Sequence, residues 1–125
     1  MTGLLLVAAG GAIGASLRYG VGIASVRLFG TGFPVGTLFI NIIGCFVMGL
    51  FVELLALRWN GSEQLRLFVA TGILGGFTTF SAFSLDFMVL WQRGEILAAA
   101  GYVAASVVLS LAGIALGMWV VRALT

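Results

Sequence analysis

Polar positions along this chain arrive in short clusters that separate four long apolar runs, at about 4–28, 34–57, 64–91 and 96–121. Each run exceeds the roughly 20 residues an α-helix needs to cross the hydrocarbon core of a bilayer. The clusters between them are Phe29-Gly30-Thr31-Gly32, Arg58-Trp59-Asn60-Gly61-Ser62-Glu63 and Gln92-Arg93-Gly94-Glu95. These carry the glycine, asparagine and charged residues of turns. The pattern predicts an all-α membrane protein: four transmembrane helices in a single transmembrane domain spanning residues 1–125. Pro34 falls in the first turn of the second helix, where its missing N–H costs little. Trp59, Trp91 and Trp119 flank the runs, at depths suited to a membrane interface.

The third run contradicts itself in the middle. Gly75-Gly76-Phe77-Thr78-Thr79-Phe80-Ser81-Ala82-Phe83 opens with two glycines, each about 1 kcal/mol worse than alanine in a helix. Two β-branched threonines follow, whose hydroxyls offer the backbone alternatives to helical hydrogen bonds. The third helix is therefore expected to break at mid-membrane. Irregular backbone at that depth survives only against protein or a water-filled path. A plain glycine hinge or close helix contact is the alternative.

Elsewhere the runs carry small residues at spacings that let backbones approach: Gly10, Gly11 and Gly14, then Gly44 and Gly49, then Gly113 and Gly117. Thr37 and Asn41 share a face of the second helix. Tyr102, Ser106 and Ser110 form one stripe on the fourth.

Composition sharpens the class. The chain is 62% hydrophobic and 8% charged, with mean hydropathy +1.23, far from the quarter or so of charged residues in soluble domains. No segment reads as a removable signal peptide, because the first run is long enough to span and no basic residue precedes it. One cysteine and no histidine leave no intrachain disulfide and no Cys/His zinc site. Cys45 reads as a small packing residue. A net charge of +2 is too small for a nucleic-acid surface.

Four spans place both termini on one side. That side holds Arg58, Arg66 and Arg122, and the other holds Arg27 and Arg93. Three against two gives almost no orientation signal. Insertion in both directions is the expectation, and it would make possible an antiparallel, dual-topology homodimer with the symmetry of an inverted-repeat transporter. One weakly fixed orientation is the alternative.

The chemistry is set first by what is missing. No acidic residue lies deep in a span, since Glu53 and Asp86 are both near ends. Proton-coupled transport and cation conduction usually require carboxylates, histidines or carbonyl rings there. The deep polar groups are donors: Thr37, Asn41, Thr78, Thr79, Ser81, Tyr102, Ser106 and Ser110, with Arg18 as the one deep charge. That inventory favours an anion. Phe80 and Phe83, three apart, are either packing aromatics or rings whose positive edges meet an anion. A helix restarting after Thr79 adds free N–H groups and the positive end of its dipole. Arg18 either lines an aqueous vestibule and concentrates anions or holds backbone carbonyls.

Three stretches carry a resemblance to a known family. They are Gly10-Gly11-Ala12-Ile13-Gly14-Ala15-Ser16-Leu17-Arg18-Tyr19, Gly36-Thr37-Leu38-Phe39-Ile40-Asn41-Ile42-Ile43-Gly44-Cys45, and the Gly75–Phe83 segment. Together they resemble the Fluc (CrcB) fluoride channels over the whole chain, in size, in four spans and in motif order. Ala82 departs from the threonine common in that signature, and no role is assigned to it. The resemblance implies an antiparallel homodimer with two fluoride pores, faced by Phe80 and Phe83. Asn41 would line them, with Ser81 among the signature hydroxyls and Thr37, Tyr102, Ser106 and Ser110 as a polar track. It also implies a structural Na⁺ at the dimer interface, held by the Gly75 and Thr78 carbonyls, and a bacterial inner-membrane location.

The expectation is a passive fluoride channel that exports F⁻, with no enzymatic activity. A small four-helix proton-coupled drug antiporter is the first alternative, but it requires a carboxylate in the first span, where this chain has Arg18. A non-transporting membrane subunit is the second. Nothing resembles a catalytic base, nucleophile or metal cluster.

Overall fold

The computed structural model describes residues 1–125 as helices joined by short turns. We number them α1 (Thr2–Phe29), α2 (Val35–Arg58), α3 (residues 63–77), α4 (Phe80–Gln92) and α5 (Ile96–Leu124). Taken with α3 and α4 as one interrupted span, four helices are long and apolar enough to cross a membrane. The chain is a multi-pass membrane protein, and its third span is broken.

The turns are short because their residues accept tight geometry. Gly30, Gly61 and Gly94 have φ of 75°, 65° and 81°, the left-handed region glycine enters without a Cβ clash. Pro34 sits one residue before α2 as its N-cap rather than inside the first turn. Ser62 starts α3, its Oγ accepting from the Leu65 N–H at 3.3 Å.

Lipid tails are as apolar as leucine, so close packing, not hydrophobic exclusion, holds these helices together. The glycine spacings do this job. A Cβ on Gly10 would strike the Phe68 carbonyl of α3, and one on Gly14 the Ile73 carbonyl, so α1 lies backbone to backbone on α3. On the other side, Gly49 of α2 faces the Ile114 carbonyl and Gly117 of α5 faces the Phe46 carbonyl. Polar contacts pin the ends. Arg122 Nη2 and Nε donate to the two Glu53 oxygens at 3.0 and 3.1 Å, joining α5 to α2 near the termini.

Two features refine the sequence reading. The break falls at Thr78-Thr79, inside the expected segment, and Gly75 and Gly76 stay helical. Gly75 is helical at φ −64°, ψ −37°, and the chain becomes extended only at Thr78 (φ −80°, ψ 157°) and Thr79 (φ −153°, ψ 126°). Gly76 is instead a contact residue, since a Cβ there would lie 2.8 Å from the Gly11 carbonyl of α1. The second feature has no sequence forecast. Arg66–Leu74 is wound as a π-helix, and the Gly75 N–H reaches back five residues to the Ala70 carbonyl. Such wide turns are rare and often sit at functional sites. Here the widened stretch is the part of the span that meets the Gly10 and Gly14 backbone.

Only 19 of 125 residues are buried. The rest of this apolar surface must be covered by lipid or by another chain. Seven of the buried apolar residues form two clusters. Phe51, Leu55, Ala70 and Leu74 pack at the terminal side. Leu90, Ala99 and Tyr102 pack at the other side, with Phe33, Leu38, Phe83 and Phe87 around them.

Candidate functional site

The break is held open by side chains from two other helices. Asn41, on α2, uses both ends of its amide on one residue. Its Oδ1 accepts from the Thr79 N–H at 2.8 Å, and its Nδ2 donates to the Thr79 carbonyl at 2.9 Å. This is the pairing a neighbouring β-strand would make, and the opposite amide orientation would set donor on donor and acceptor on acceptor. Arg18, on α1, donates from Nε to the Gly76 carbonyl at 3.1 Å. Thr78 caps the end of α3, its N–H and its hydroxyl both donating to the Leu74 carbonyl, at 3.0 and 2.9 Å. Thr79 starts α4, its Oγ1 accepting from the Ala82 N–H at 3.1 Å. A broken helix in a membrane requires such replacement of its lost bonds.

Two concavities meet at this break, and Thr79 lines both. The larger, about 890 Å³, opens on the loop side among α1, α2 and α4. Its charged residues are Arg18, Arg27, Arg93 and Asp86, and Thr37 lies on its wall. The smaller is a groove of about 350 Å³, lined by Asn41, Cys45, Thr78, Phe80, Phe83, Ser106 and Ser110 among others. Its polar groups are neutral, and no acidic or histidine side chain enters it.

Tyr102 stands between the two. It is fully buried, and its hydroxyl donates to Asp86 Oδ2 at 3.1 Å, on the side of the larger cavity. Its ring lies 5.2 Å from that of Phe83, which in turn lies 5.4 Å from Phe80. Phe80 is 77% exposed and ends this aromatic series on an open face of the chain. The hydroxyls of Ser106 and Ser110 are buried without a hydrogen-bond partner in the protein. Buried polar groups are rarely left so, and orphans mark places where water or an ion belongs.

Of the residues expected from sequence, Asn41, Phe80, Phe83, Ser106 and Ser110 share the groove, and Thr37 and Arg18 share the larger cavity. Ser81 lines neither; it is exposed, with its Oγ 3.3 Å from Thr79 Oγ1. Asn41 lines the groove while its amide is committed to Thr79. Arg18 holds the Gly76 carbonyl with one nitrogen, while its side chain lines the larger cavity. Asp86 and Cys45 were not foreseen at the site. Each stands at helical spacing from a residue that was, three after Phe83 and four after Asn41, and so on a neighbouring face.

No cluster of three metal-ligating side chains exists, so a cation held here would need main-chain oxygens. No side-chain or loop hydrogen bond ends on the Gly75 or Thr78 carbonyl, and Gly75 is exposed.

Comparison with known proteins follows the same residues. The family model described as "CrcB-like protein, Camphor Resistance (CrcB)" matches residues 5–118. A protein of Rhizobium etli named fluoride-specific ion channel FluC is 59% identical over 119 residues, covering 95% of each chain. One of Mesorhizobium japonicum with the same name is 55% identical over 124 residues, 99% of each chain. One of Paracoccus denitrificans, again so named, is 58% identical over 120 residues, 96% of this chain and 94% of its own. These matches cover the length that holds all four spans and the break, and the chain belongs to the CrcB family.

Proposed function

We propose that this chain is a fluoride-specific channel of the bacterial inner membrane that lets F⁻ leave the cell passively. The observation that carries the reading is the groove beside the broken helix. It offers neutral donors, ring edges and two orphan hydroxyls. It offers no carboxylate or histidine to carry a proton or bind a drug cation. Relatives over the full length are named for this activity. Fluoride holds its hydration tightly, so a conduit for it must replace water with donors at close range. Amides, hydroxyls and the positive edges of Phe80 and Phe83 do so without the full countercharge that would trap the ion.

The arginines around the larger cavity raise the local concentration of anions before they meet the groove. Arg18 is the deepest of these. Thr37 adds a hydroxyl to the wall of the larger cavity, and Tyr102 packs between cavity and groove with its hydroxyl given to Asp86.

The working unit we propose is an antiparallel homodimer of oppositely inserted chains with two pores. Three facts support it. The arginine balance of three against two gives little orientation signal. Most of the apolar surface is uncovered in one chain. The groove is open on the side where Phe80 is exposed, so a second copy is needed to enclose an ion. Two copies meeting across the break would also bring together the Gly75 and Thr78 carbonyls. An all-oxygen set suits a hard cation, and a structural Na⁺ there would lock the two helix breaks in register.

Purified protein in liposomes tests the channel reading. With a valinomycin-set K⁺ potential, F⁻ efflux should follow the voltage. Electroneutral movement, or Cl⁻ moving as fast as F⁻, overturns it.

A further inference from the structure

We propose that Cys45 is a thiol-modification site inside the groove, and that a small group placed on its sulfur stops the anion flux. The inference rests on reading the groove as the anion path, and it adds a property specific to the sulfur in this chain.

Cys45 is the only cysteine and its thiol is free. It lies one helical turn beyond Asn41 and lines the same groove with Phe80, Ser106 and Ser110. Its neighbour Gly44 packs against the methyl and ring of Thr78 and Phe77, so α2 is held tightly against the break at this level. Cys45 is therefore fixed in position rather than free to swing to lipid.

The second observation concerns what fills the groove. Ser106 is 6% exposed, and its hydroxyl and that of Ser110 have no partner in the protein. A hydrocarbon tail would leave both unsatisfied, at a cost of about 1–3 kcal/mol each. Water or an anion satisfies them. A thiol sharing that groove is a thiol in contact with water, and only in such surroundings does a cysteine yield the thiolate that reacts.

The reaction is simple. The Cys45 thiol gives its proton to water. The thiolate attacks the sulfenyl sulfur of methyl methanethiosulfonate, a neutral reagent small enough for a groove of about 350 Å³. A Cys45–S–S–CH₃ bond forms, the S–SO₂ bond breaks, and methanesulfinate leaves with the electron pair. The added methylthio group projects into the space between Asn41 and Ser110 and displaces the polar occupant there.

The test uses full-length protein in liposomes and reads two quantities: intact mass, for addition of one methylthio group, and F⁻ efflux. The expected result is stoichiometric labelling, efflux reduced to the protein-free baseline, and recovery of both on treatment with dithiothreitol. Cys45→Ala is expected to gain no mass and to give the same efflux with the reagent as without it. Absence of labelling on the folded protein, under conditions that label it in denaturant, overturns the proposal. So does labelling with unchanged efflux, or equal inhibition of Cys45→Ala. If untreated protein carries no F⁻ at all, the channel reading fails, and labelling still reports separately whether water reaches the thiol.

Discussion

Replacing Asn41 by leucine separates a side chain that holds the break from one that only touches ions. Leucine keeps the side chain's branched shape, though it is larger, and removes both hydrogen bonds to Thr79, at 2.8 and 2.9 Å. In membrane proteins such bonds average about 0.6 kcal/mol each, so the lower bound is about 1 kcal/mol. If Thr79 finds no other partner, its orphaned N–H and C=O cost about 1–3 kcal/mol each, and the middle of that range gives about 4 kcal/mol for the two. Asn41→Asp keeps an acceptor for the Thr79 N–H and should fall between leucine and wild type. The assay is equilibrium unfolding in mixed micelles, titrated with a denaturing detergent and followed by tryptophan fluorescence. F⁻ efflux is measured on the same samples. The expected outcome is a loss of about 1–4 kcal/mol for Asn41→Leu, together with loss of flux. Loss of flux with stability within about 0.5 kcal/mol of wild type would refute the clamp, because it would mean that Thr79 does not depend on the Asn41 amide.

The ion pair between α2 and α5 should respond asymmetrically. Glu53 is 8% exposed, whereas the Arg122 side chain is 65% exposed. Arg122→Leu strands a buried carboxylate and should cost more than removing the carboxylate does. Glu53→Gln leaves a cation that can turn to water and should cost less than about 1 kcal/mol; the same unfolding titration reads both, and equal losses would contradict the assigned burial. For the rings, Phe83→Ile should lose stability as well as flux, since Phe83 packs on both Phe80 and Tyr102. Phe80→Ile should lose flux while keeping the wild-type elution volume on size exclusion; unchanged efflux in either variant would make that ring simple packing.

How much of this was legible in the sequence depends on the range of the force involved. The four spans are visible because length and apolarity are local properties. The contacts of Gly10, Gly14, Gly49 and Gly117 follow from spacing for the same reason. The break was expected within Gly75–Phe83, with the helix restarting after Thr79, but local helix propensity does not say which residues of that segment leave the helix. The position is decided by Asn41, 38 residues away in sequence, which offers Thr79 a better partner than its own helix does. Gly75 and Gly76 stay helical, and Gly76 pays for its low propensity through contact with Gly11. The π-helical winding of Arg66–Leu74 carries no marker in the apolar period. It lies where α3 meets α1, and a contact surface is not written in one helix alone. Cys45 was read as packing because a lone cysteine in an apolar helix usually is, and the groove beside it forms only when α5 brings Ser106 and Ser110 across.

The account depends on a conduit of uncharged donors that accepts a small, strongly hydrated halide and refuses a larger one. Voltage-clamped current through the reconstituted protein in a planar bilayer tests this most directly, with fluoride on one side and chloride on the other. The account predicts a reversal potential near that of a membrane permeable to fluoride alone. A reversal potential near zero, with both halides carrying current, would contradict it.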